Sequence, residues 1–146
     1  MIRPVSVKDA PALSRICESA LGHKQSETHI AEKIGILCAD SNYFLRVYED
    51  EQTLQVLGFI QAEQYNLVYG GDGWNVMALA VSQEARRRGI GRKLLESLEE
   101  AALKEGSSFI RLNCNVYRTE AHCFYEHMGY CSDKTQKRYI KNFVQE

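Results

Sequence analysis

The sequence lacks the features that mark secreted, membrane-embedded or nucleic-acid-binding proteins. No apolar run approaches the roughly 20 residues that a membrane-spanning helix needs. A formal net charge of −1 gives no reason to expect nucleic acid or an anionic membrane as a partner. The amino terminus has no signal-peptide pattern, and Met1 is not followed by the glycine that myristoylation requires. We therefore expect no nucleic-acid or membrane partner.

Cysteine spacing argues against both a disulfide framework and a zinc site. No Cys-x-x-Cys pair occurs, and the number of cysteines is odd: Cys17, Cys38, Cys114, Cys123 and Cys131. No group of histidine, cysteine and aspartate has metal-ligand spacing, so we expect no metal. Cysteines scattered through apolar segments are typical of small, reduced core residues, so we expect a cytoplasmic location. An acyl-carrying Cys114 or Cys123 is an alternative, but neither has an evident histidine partner.

The chain also lacks repeats, low-complexity tracts and linkers rich in proline, glycine or serine. Its 146 residues, 45% of them hydrophobic, suffice to bury one core without disulfides or structural metals. We therefore predict a single domain over residues 1–146.

Hydrophobic periodicity predicts strands that alternate with helices. The predicted strands are 2–7, 43–48, 54–65, 74–81, 109–116 and 138–144, and the predicted helices are 9–20, 26–38, 92–104 and 120–127. Asp9 and Ser26 are the expected caps of the first two helices. The apolar run 74–81 is typical of a strand buried on both faces. The order β-α-α-β-β-β-α-β-α-β indicates an α/β fold with a mixed sheet.

The segment Arg-Arg-Arg-Gly-Ile-Gly at residues 86–91 stands between a buried strand and a leucine-rich helix. Glycines such as Gly89 and Gly91 let backbone approach a ligand closely or take a positive φ. Free N–H groups at the start of the helix, together with its macrodipole, favour an anion. The spacing matches neither the P-loop nor the dinucleotide fingerprint. The loop therefore predicts a phosphate site, with a solvated basic turn as the alternative.

The motif Leu-Ala-Val-Ser-Gln-Glu-Ala-Arg-Arg-Arg-Gly-Ile-Gly resembles the signature of the GNAT superfamily of N-acetyltransferases, R/Q-x-x-G-x-G/A. Arg86, Gly89 and Gly91 stand at its fixed positions. The resemblance extends over nearly the whole chain. It includes the opening segment IRPVSVKDAPAL and the later segment EAHCFYEHMGY. It implies a mixed, mostly antiparallel central sheet flanked by helices, and acetyl-CoA as co-substrate without a metal.

The resemblance also implies which residues bind coenzyme A. The loop expected to grip the pyrophosphate consists of Arg86, Arg87, Arg88, Gly89, Ile90, Gly91 and Arg92. The strand end Leu79, Ala80 and Val81 is expected to hydrogen-bond the pantetheine arm as though it were another strand. The N–H of Leu79 or of Val81 is the candidate oxyanion donor.

Two side chains are the candidate catalysts. Tyr125 resembles the general-acid tyrosine of the family motif A-x-x-F-Y-E-x-x-G-[YF], and a phenol can protonate a leaving thiolate. Glu63 is the candidate general base, with Asp72, Glu27, His23 and His122 as rivals. Many relatives carry an asparagine where this chain has Arg118, which leaves one coenzyme contact open.

The predicted function is acetyl transfer from acetyl-CoA to a small-molecule or peptide amine by direct attack in a ternary complex. Residues 21–28 and 66–73 are expected to line the acceptor side. One alternative is a coenzyme A-binding sensor or interaction module with weak or no catalysis. Another, a different nucleotide-binding domain, lacks a ribose-binding acid at suitable spacing after the glycines. A homodimer stays open as the oligomeric state.

Overall fold

The computed structural model describes residues 1–144, which divide into two compact units at Asn113 and Cys114. The elements of the first unit are β1 (Ile2–Pro4), α1 (Ala10–Leu21), α2 (Glu27–Cys38), β2 (Tyr43–Glu49), β3 (Val56–Asn66), β4 (Asp72–Val81), α3 (Ile90–Glu105) and β5 (Phe109–Leu112). Short 3-10 turns cover Val7–Asp9 and Gln83–Ala85. In the second unit α4 (Thr119–His127) is followed by irregular backbone through residue 144.

The five strands form one sheet in the order β1-β2-β3-β4-β5. Neighbouring strands are antiparallel except for β4 and β5, which are parallel and are connected through α3. The prediction of a mixed, mostly antiparallel sheet flanked by helices is therefore confirmed. The prediction of a single domain stays a prediction.

The predicted last strand, 138–144, is wrong. These residues belong to no ladder of the described sheet, and aromatic side chains in the segment are exposed, Tyr139 at 87% and Phe143 at 89%. Aromatic and branched residues favour a strand only where a neighbouring strand supplies hydrogen bonds and packing. The predicted strand 109–116 is shorter for a related reason, because its pairing with β4 ends at Leu112.

Helices α1 and α2 cover one face of the sheet, and α3 covers the other. The first core contains Leu13 and Ile34 from the helices and Phe59 from β3. On the opposite face, Leu94 and Leu98 of α3 are fully buried. Side chains alternate along a strand, so the odd-numbered residues that follow Phe59 in β3 share its face.

The expectation that the run 74–81 is buried on both faces is wrong at its centre. Met77 is 48% exposed, whereas Trp74 and Ala80 are buried. Met77 is the extra residue of a β-bulge, since Val76 pairs with Ala62 and Ala78 pairs with Gln61. The bulge leaves Met77 without a β3 partner, and β5 ends before reaching it.

One of the two predicted helix caps is confirmed. Ser26 accepts a hydrogen bond from the His29 N–H and caps α2, and Gly22 ends α1 with a left-handed φ of 71°. Asp9, expected to cap α1, makes no such bond. Its buried carboxylate instead accepts one hydrogen bond from the Ser6 backbone N–H at 2.8 Å and two from the Arg3 guanidinium at 2.8 and 2.9 Å. The reason is that Arg3, on β1, offers a bidentate charged partner that a backbone N–H cannot match.

We expect Asp9→Asn to destabilise the protein by about 2 kcal/mol at pH 7, because it removes a charge-assisted pair with Arg3. Burial raises the pKa of the Asp9 carboxyl, but the hydrogen bonds from Arg3 and Ser6 outweigh it, and the net pKa is lowered. Because the pKa of this carboxyl is lower in the folded state than in the unfolded state, its charge stabilises the fold at pH values above the unfolded pKa of about 3.9. This stabilisation is lost as the pH falls through the pKa of the folded state.

Urea unfolding of wild type and Asp9→Asn at several pH values measures this effect. The difference in unfolding free energy should be full at pH 7 and should shrink at pH values below about 3.9. Glu32→Gln, at an exposed position of α2, is the control and should change little. A pH-independent difference would contradict the assigned role of the carboxylate charge.

The cysteines are free, and none of them is fully buried, contrary to expectation. Cys17 and Cys114 are half-buried, and the other three are exposed. Cys17 nonetheless packs against the core between the sheet and helices α1 and α2. Within residues 1–144, no helix is both long and apolar enough to cross a membrane.

Candidate active site

The predicted phosphate loop joins the end of β4 to the start of α3. Buried side chains fix both of its ends, with Ala85 1% and Ile90 2% exposed. Between them the backbone takes two left-handed conformations, φ 66° at Arg87 and φ 75° at Gly89. These turn the chain sharply so that α3 begins at Ile90 and points its first N–H groups back at the loop.

The loop and the first turn of α3 present a row of unpaired backbone donors. The backbone N–H groups of residues 87–92 donate to no acceptor in the described chain. The first hydrogen bond of the helix runs from Lys93 N–H to Gly89 C=O at 3.1 Å. Unpaired N–H groups at a helix start, supported by the macrodipole, are suited to phosphate oxygens.

The four arginines of the loop differ in what they contact, although all are exposed. Arg88 pairs with Asp50 at 3.1 Å, and Arg92 pairs with Glu96 at 2.6 Å. Within residues 1–144, no ion pair or hydrogen bond engages the Arg86 and Arg87 guanidinium groups. Positive charge for an anion is therefore available mainly from these two.

The Asp50 carboxylate is held in place by the turn that precedes β3. N–H groups of Gln52 and Thr53, together with the Arg88 guanidinium, lower the pKa of its carboxyl. The largest of these contributions comes from Gln52. Asp50 therefore stays ionised and ties Arg88 to the β2–β3 turn.

The two loop glycines have different reasons to be there. Gly89 needs its left-handed φ, and a Cβ at this position would meet no protein atom within 4 Å. Gly91, in the first turn of α3, has no positive φ. The left-handed conformation of Arg87 could not be predicted from the sequence, because arginine has no preference for it.

Half of β4 has an open edge. Pairing with β5 covers only Gly73–Val76, and no described strand pairs with residues 77–81 on that side. The Ser82 N–H donates to Leu57 C=O at 2.8 Å, so alternation along the ladder directs the backbone groups of Leu79 and Val81 towards the open edge. The groups of Ala80 are directed towards β3 instead, and its side chain is in the core.

Polar side chains follow one another across the sheet just beyond the bulge. Glu63 of β3 pairs with Asn75 of β4, which pairs with Arg111 of β5. The Arg111 Nη1 donates to Asn75 Oδ1 at 2.6 Å, and its guanidinium lies 4.8 Å from the centre of the Tyr65 ring. We call Glu63, Tyr65, Asn75 and Arg111 the polar row. It lies on the same sheet face as Phe59, the face that α1 and α2 cover.

The rivals of Glu63 are differently placed. Asp72 is exposed at the start of β4, while Glu27 and His23 are exposed around the start of α2. Glu63 is half-buried and is one residue pair from the bulge. Of these candidates within the first unit, Glu63 is the half-buried one, and its register pair lies next to the pair that borders the bulge.

Tyr125 belongs to the second unit, on α4. Its ring packs edge-on against Phe124 at 5.2 Å and Tyr130 at 6.1 Å between ring centres. Burial raises the pKa of the Tyr125 phenol, Cys114 raises it further, and Arg118 opposes both. The phenol therefore carries its proton at neutral pH and can act as an acid. In the same unit, the Nε2 atom of His122, a rival candidate for the general base, lies 2.9 Å from the Asn115 carbonyl oxygen.

Two features of the site escaped sequence analysis. The bulge at Met77 follows from pairing with β3, and the sequence of β4 alone carries no sign of it. Arg111 was predicted only as part of a strand, although a charged residue within the apolar segment Phe-Ile-Arg-Leu is a usable signal.

Among residues 1–144, no group of three His, Cys, Asp or Glu side chains could hold a metal ion.

Comparison with known proteins bears on both units. A family model described as "Acetyltransferase (GNAT) family" matches residues 12–130. A transcriptional regulator from Bacillus halodurans C-125 superposes with a TM-score of 0.85 at 19% identity, covering 97% of this chain and 99% of its own. Glucosamine-6-phosphate N-acetyltransferase from Arabidopsis thaliana gives 0.80 at 17%, covering 97% and 98%. An aminoglycoside 6'-N-acetyltransferase from Acinetobacter haemolyticus gives 0.79 at 14%, covering 99% of each chain. These structural likenesses concern the fold.

Proposed function

Because the chain belongs to the GNAT acetyltransferase family, we propose that it transfers an acetyl group from acetyl-CoA to an amine by direct attack in a ternary complex. Members of this family use acetyl-CoA as co-substrate and act on small-molecule or protein amines. The proposal concerns the activity of this member, the residues that perform it and the order of events.

The observation that carries the proposal is the row of unpaired N–H groups at residues 87–92 beside the free Arg86 and Arg87 guanidinium groups. This donor set fits the pyrophosphate of coenzyme A, which offers several acceptor oxygens and negative charge. The open space around Gly89 supports close approach of that group to the backbone.

The open edge of β4 gives the pantetheine arm a route from the loop towards the polar row. From Val81 back to Met77 the strand rises about 13 Å, with backbone groups of Leu79 and Val81 directed outwards. Pantetheine has two amides that can pair with such groups as an added strand would. The N–H of Leu79 or of Val81 is then the oxyanion donor in the proposed reaction.

The chemistry requires two proton transfers. A free alkyl ammonium is mostly charged at pH 7, so it must lose a proton before its nitrogen attacks the thioester carbonyl. Glu63 accepts that proton in the proposed mechanism. The C–N bond then forms. As the C–S bond breaks, Tyr125 gives its proton to the departing thiolate and takes up the second proton, which the attacking nitrogen loses as it becomes an amide. The raised pKa of Tyr125 supports this role, because the phenol is protonated when the thiolate leaves.

Glu63→Gln should lower kcat about tenfold at pH 7, since a half-exposed base competes with water for the proton. The deficit should shrink as the pH approaches the amine pKa of about 10, where the acceptor deprotonates unaided. Steady-state rates from pH 6 to 10 measure this change. Asp72→Asn is the comparison variant, and a larger loss there than in Glu63→Gln would transfer the role of base to Asp72.

The activity itself is tested by thiol release from acetyl-CoA against a panel of amines that spans amino acids, polyamines, aminoglycosides and peptides. Turnover that depends on the amine supports acetyl transfer. Tight coenzyme A binding without turnover on any amine would instead indicate a coenzyme A sensor and would contradict the proposed enzyme.

A further inference from the structure

We propose that the acceptor is a free α-amino acid, whose carboxylate is bound by Arg111 while its amine faces Glu63. This inference rests on the proposed function and adds to it the class of substrate. It makes Arg111 a specificity-determining residue.

The Arg111 guanidinium is held in position without being neutralised. Its Nη1 donates to Asn75 Oδ1 at 2.6 Å and its Nη2 donates to Asn113 Oδ1 at 3.0 Å. Both partners are neutral amides, and within residues 1–144 no carboxylate forms an ion pair with Arg111. Two of the five N–H donors of an arginine are thereby used, leaving donors for a carboxylate.

The Tyr65 ring restricts Arg111 further. The guanidinium lies 4.8 Å from its centre, and the same ring packs edge-on against Phe109 at 6.2 Å. A half-buried guanidinium supported by an aromatic face and two amides keeps one orientation, which lowers the entropic cost of binding a ligand.

The spacing of the polar row suits the two charges of an amino acid. Glu63, Asn75 and Arg111 lie on three neighbouring strands, and strands are about 5 Å apart. Since Arg111 leans over Asn75, its guanidinium is displaced towards the middle strand and therefore towards Glu63. Glu63 forms no ion pair with Arg111 or with any other described residue. The row thus offers a negative and a positive group in reach of one ammonium and one carboxylate.

Arg111 has a purely structural alternative, which is to join the carboxyl end of β5 to β4. A glutamine could donate the same hydrogen bond to Asn75 without a half-buried positive charge, and the pairing of β5 with β4 already has its own ladder. A carboxylate ligand accounts for a guanidinium that has only neutral partners in the described chain, and strand pairing does not.

The test compares standard L-amino acids with their carboxamides as acceptors for wild type, Arg111→Gln and Arg111→Lys. Wild type should prefer at least one amino acid over its amide by about 10- to 100-fold in kcat/KM. Arg111→Gln should remove that preference by raising KM for the acid alone, and Arg111→Lys should keep part of it. Lys104→Gln, an exposed position on α3, is the charge-matched control and should keep the full preference.

Binding of the same amino acids, measured by calorimetry with coenzyme A present, provides a readout that needs no turnover. Acetylation of amines with no preference for the carboxylate would overturn this inference and leave the proposed function standing. Amino-acid binding that Arg111→Gln abolishes, without any turnover, would support the carboxylate-binding role of Arg111 and contradict the proposed function. Thermal melting and coenzyme A affinity of Arg111→Gln show that a loss is not due to misfolding, and Arg111→Lys decides the outcome if Arg111→Gln does not fold.

Discussion

Replacing Gly89 with glutamate is expected to weaken coenzyme A binding by at least about 100-fold, or roughly 3 kcal/mol. Three effects add. The side chain must adopt a φ of 75°, which costs a residue other than glycine of order 1 kcal/mol. It fills the open space over the loop, and its carboxylate repels phosphate beside the N–H groups of residues 87–92. Calorimetric titration with coenzyme A measures the loss.

Gly106→Glu is the matched control, because Gly106 ends the same helix with a φ of 78° and equally open surroundings. It should lose stability through the same backbone strain while keeping its affinity for coenzyme A. Gly89→Ala separates strain from charge and should fall between wild type and Gly89→Glu. Equal loss of affinity in Gly106→Glu and Gly89→Glu would show that general destabilisation, and not the loop, is responsible.

The loop could be predicted from sequence because its determinants are local. A glycine at a left-handed φ, a buried residue on either side and a leucine-rich helix all lie within about one element of each other along the chain. The same holds for the ends of α1 and α2, where Gly22 and Ser26 act within one turn. Such signals act over a few residues and are therefore readable without knowledge of the fold.

Features that depend on pairing between distant segments could not be predicted. The bulge at Met77 is defined only by the register of β4 on β3, and the open edge only by where β5 stops. Residues 138–144 have the composition of a strand and form none, because a strand requires a partner. Asp9 shows the same limit, since Arg3 outcompetes the helix end for its carboxylate.

The candidate residues divide along this line. The loop residues and Tyr125 were identified from motifs, whereas Arg111 entered the site only through its contacts with Asn75 and Tyr65. Glu63 was one of several acids in the sequence, and its register opposite Asn75 now distinguishes it from Asp72. The proposed donor site is therefore easier to predict from sequence than the proposed acceptor site, because the latter combines residues of three strands.

Tyr125→Phe is expected to lower kcat about 100-fold with little change in coenzyme A affinity. Phenylalanine keeps the ring that packs against Phe124 and Tyr130, so the substitution removes only the hydroxyl. Without that acid the thiolate must leave unprotonated or take its proton from water. Steady-state kinetics combined with calorimetric titration of coenzyme A separates the two effects.

The pH dependence sharpens this test. Because burial raises the pKa of Tyr125, the phenol loses its proton only above the ordinary value of about 10. Wild-type kcat should therefore show no loss from this group between pH 7 and 10, and the deficit of Tyr125→Phe should stay constant over that range. Tyr117→Phe, at an exposed tyrosine of the same unit, is the control and should match wild type. Unchanged kcat in Tyr125→Phe would remove the general acid from the proposed mechanism, whereas a parallel loss of coenzyme A affinity would assign Tyr125 to binding.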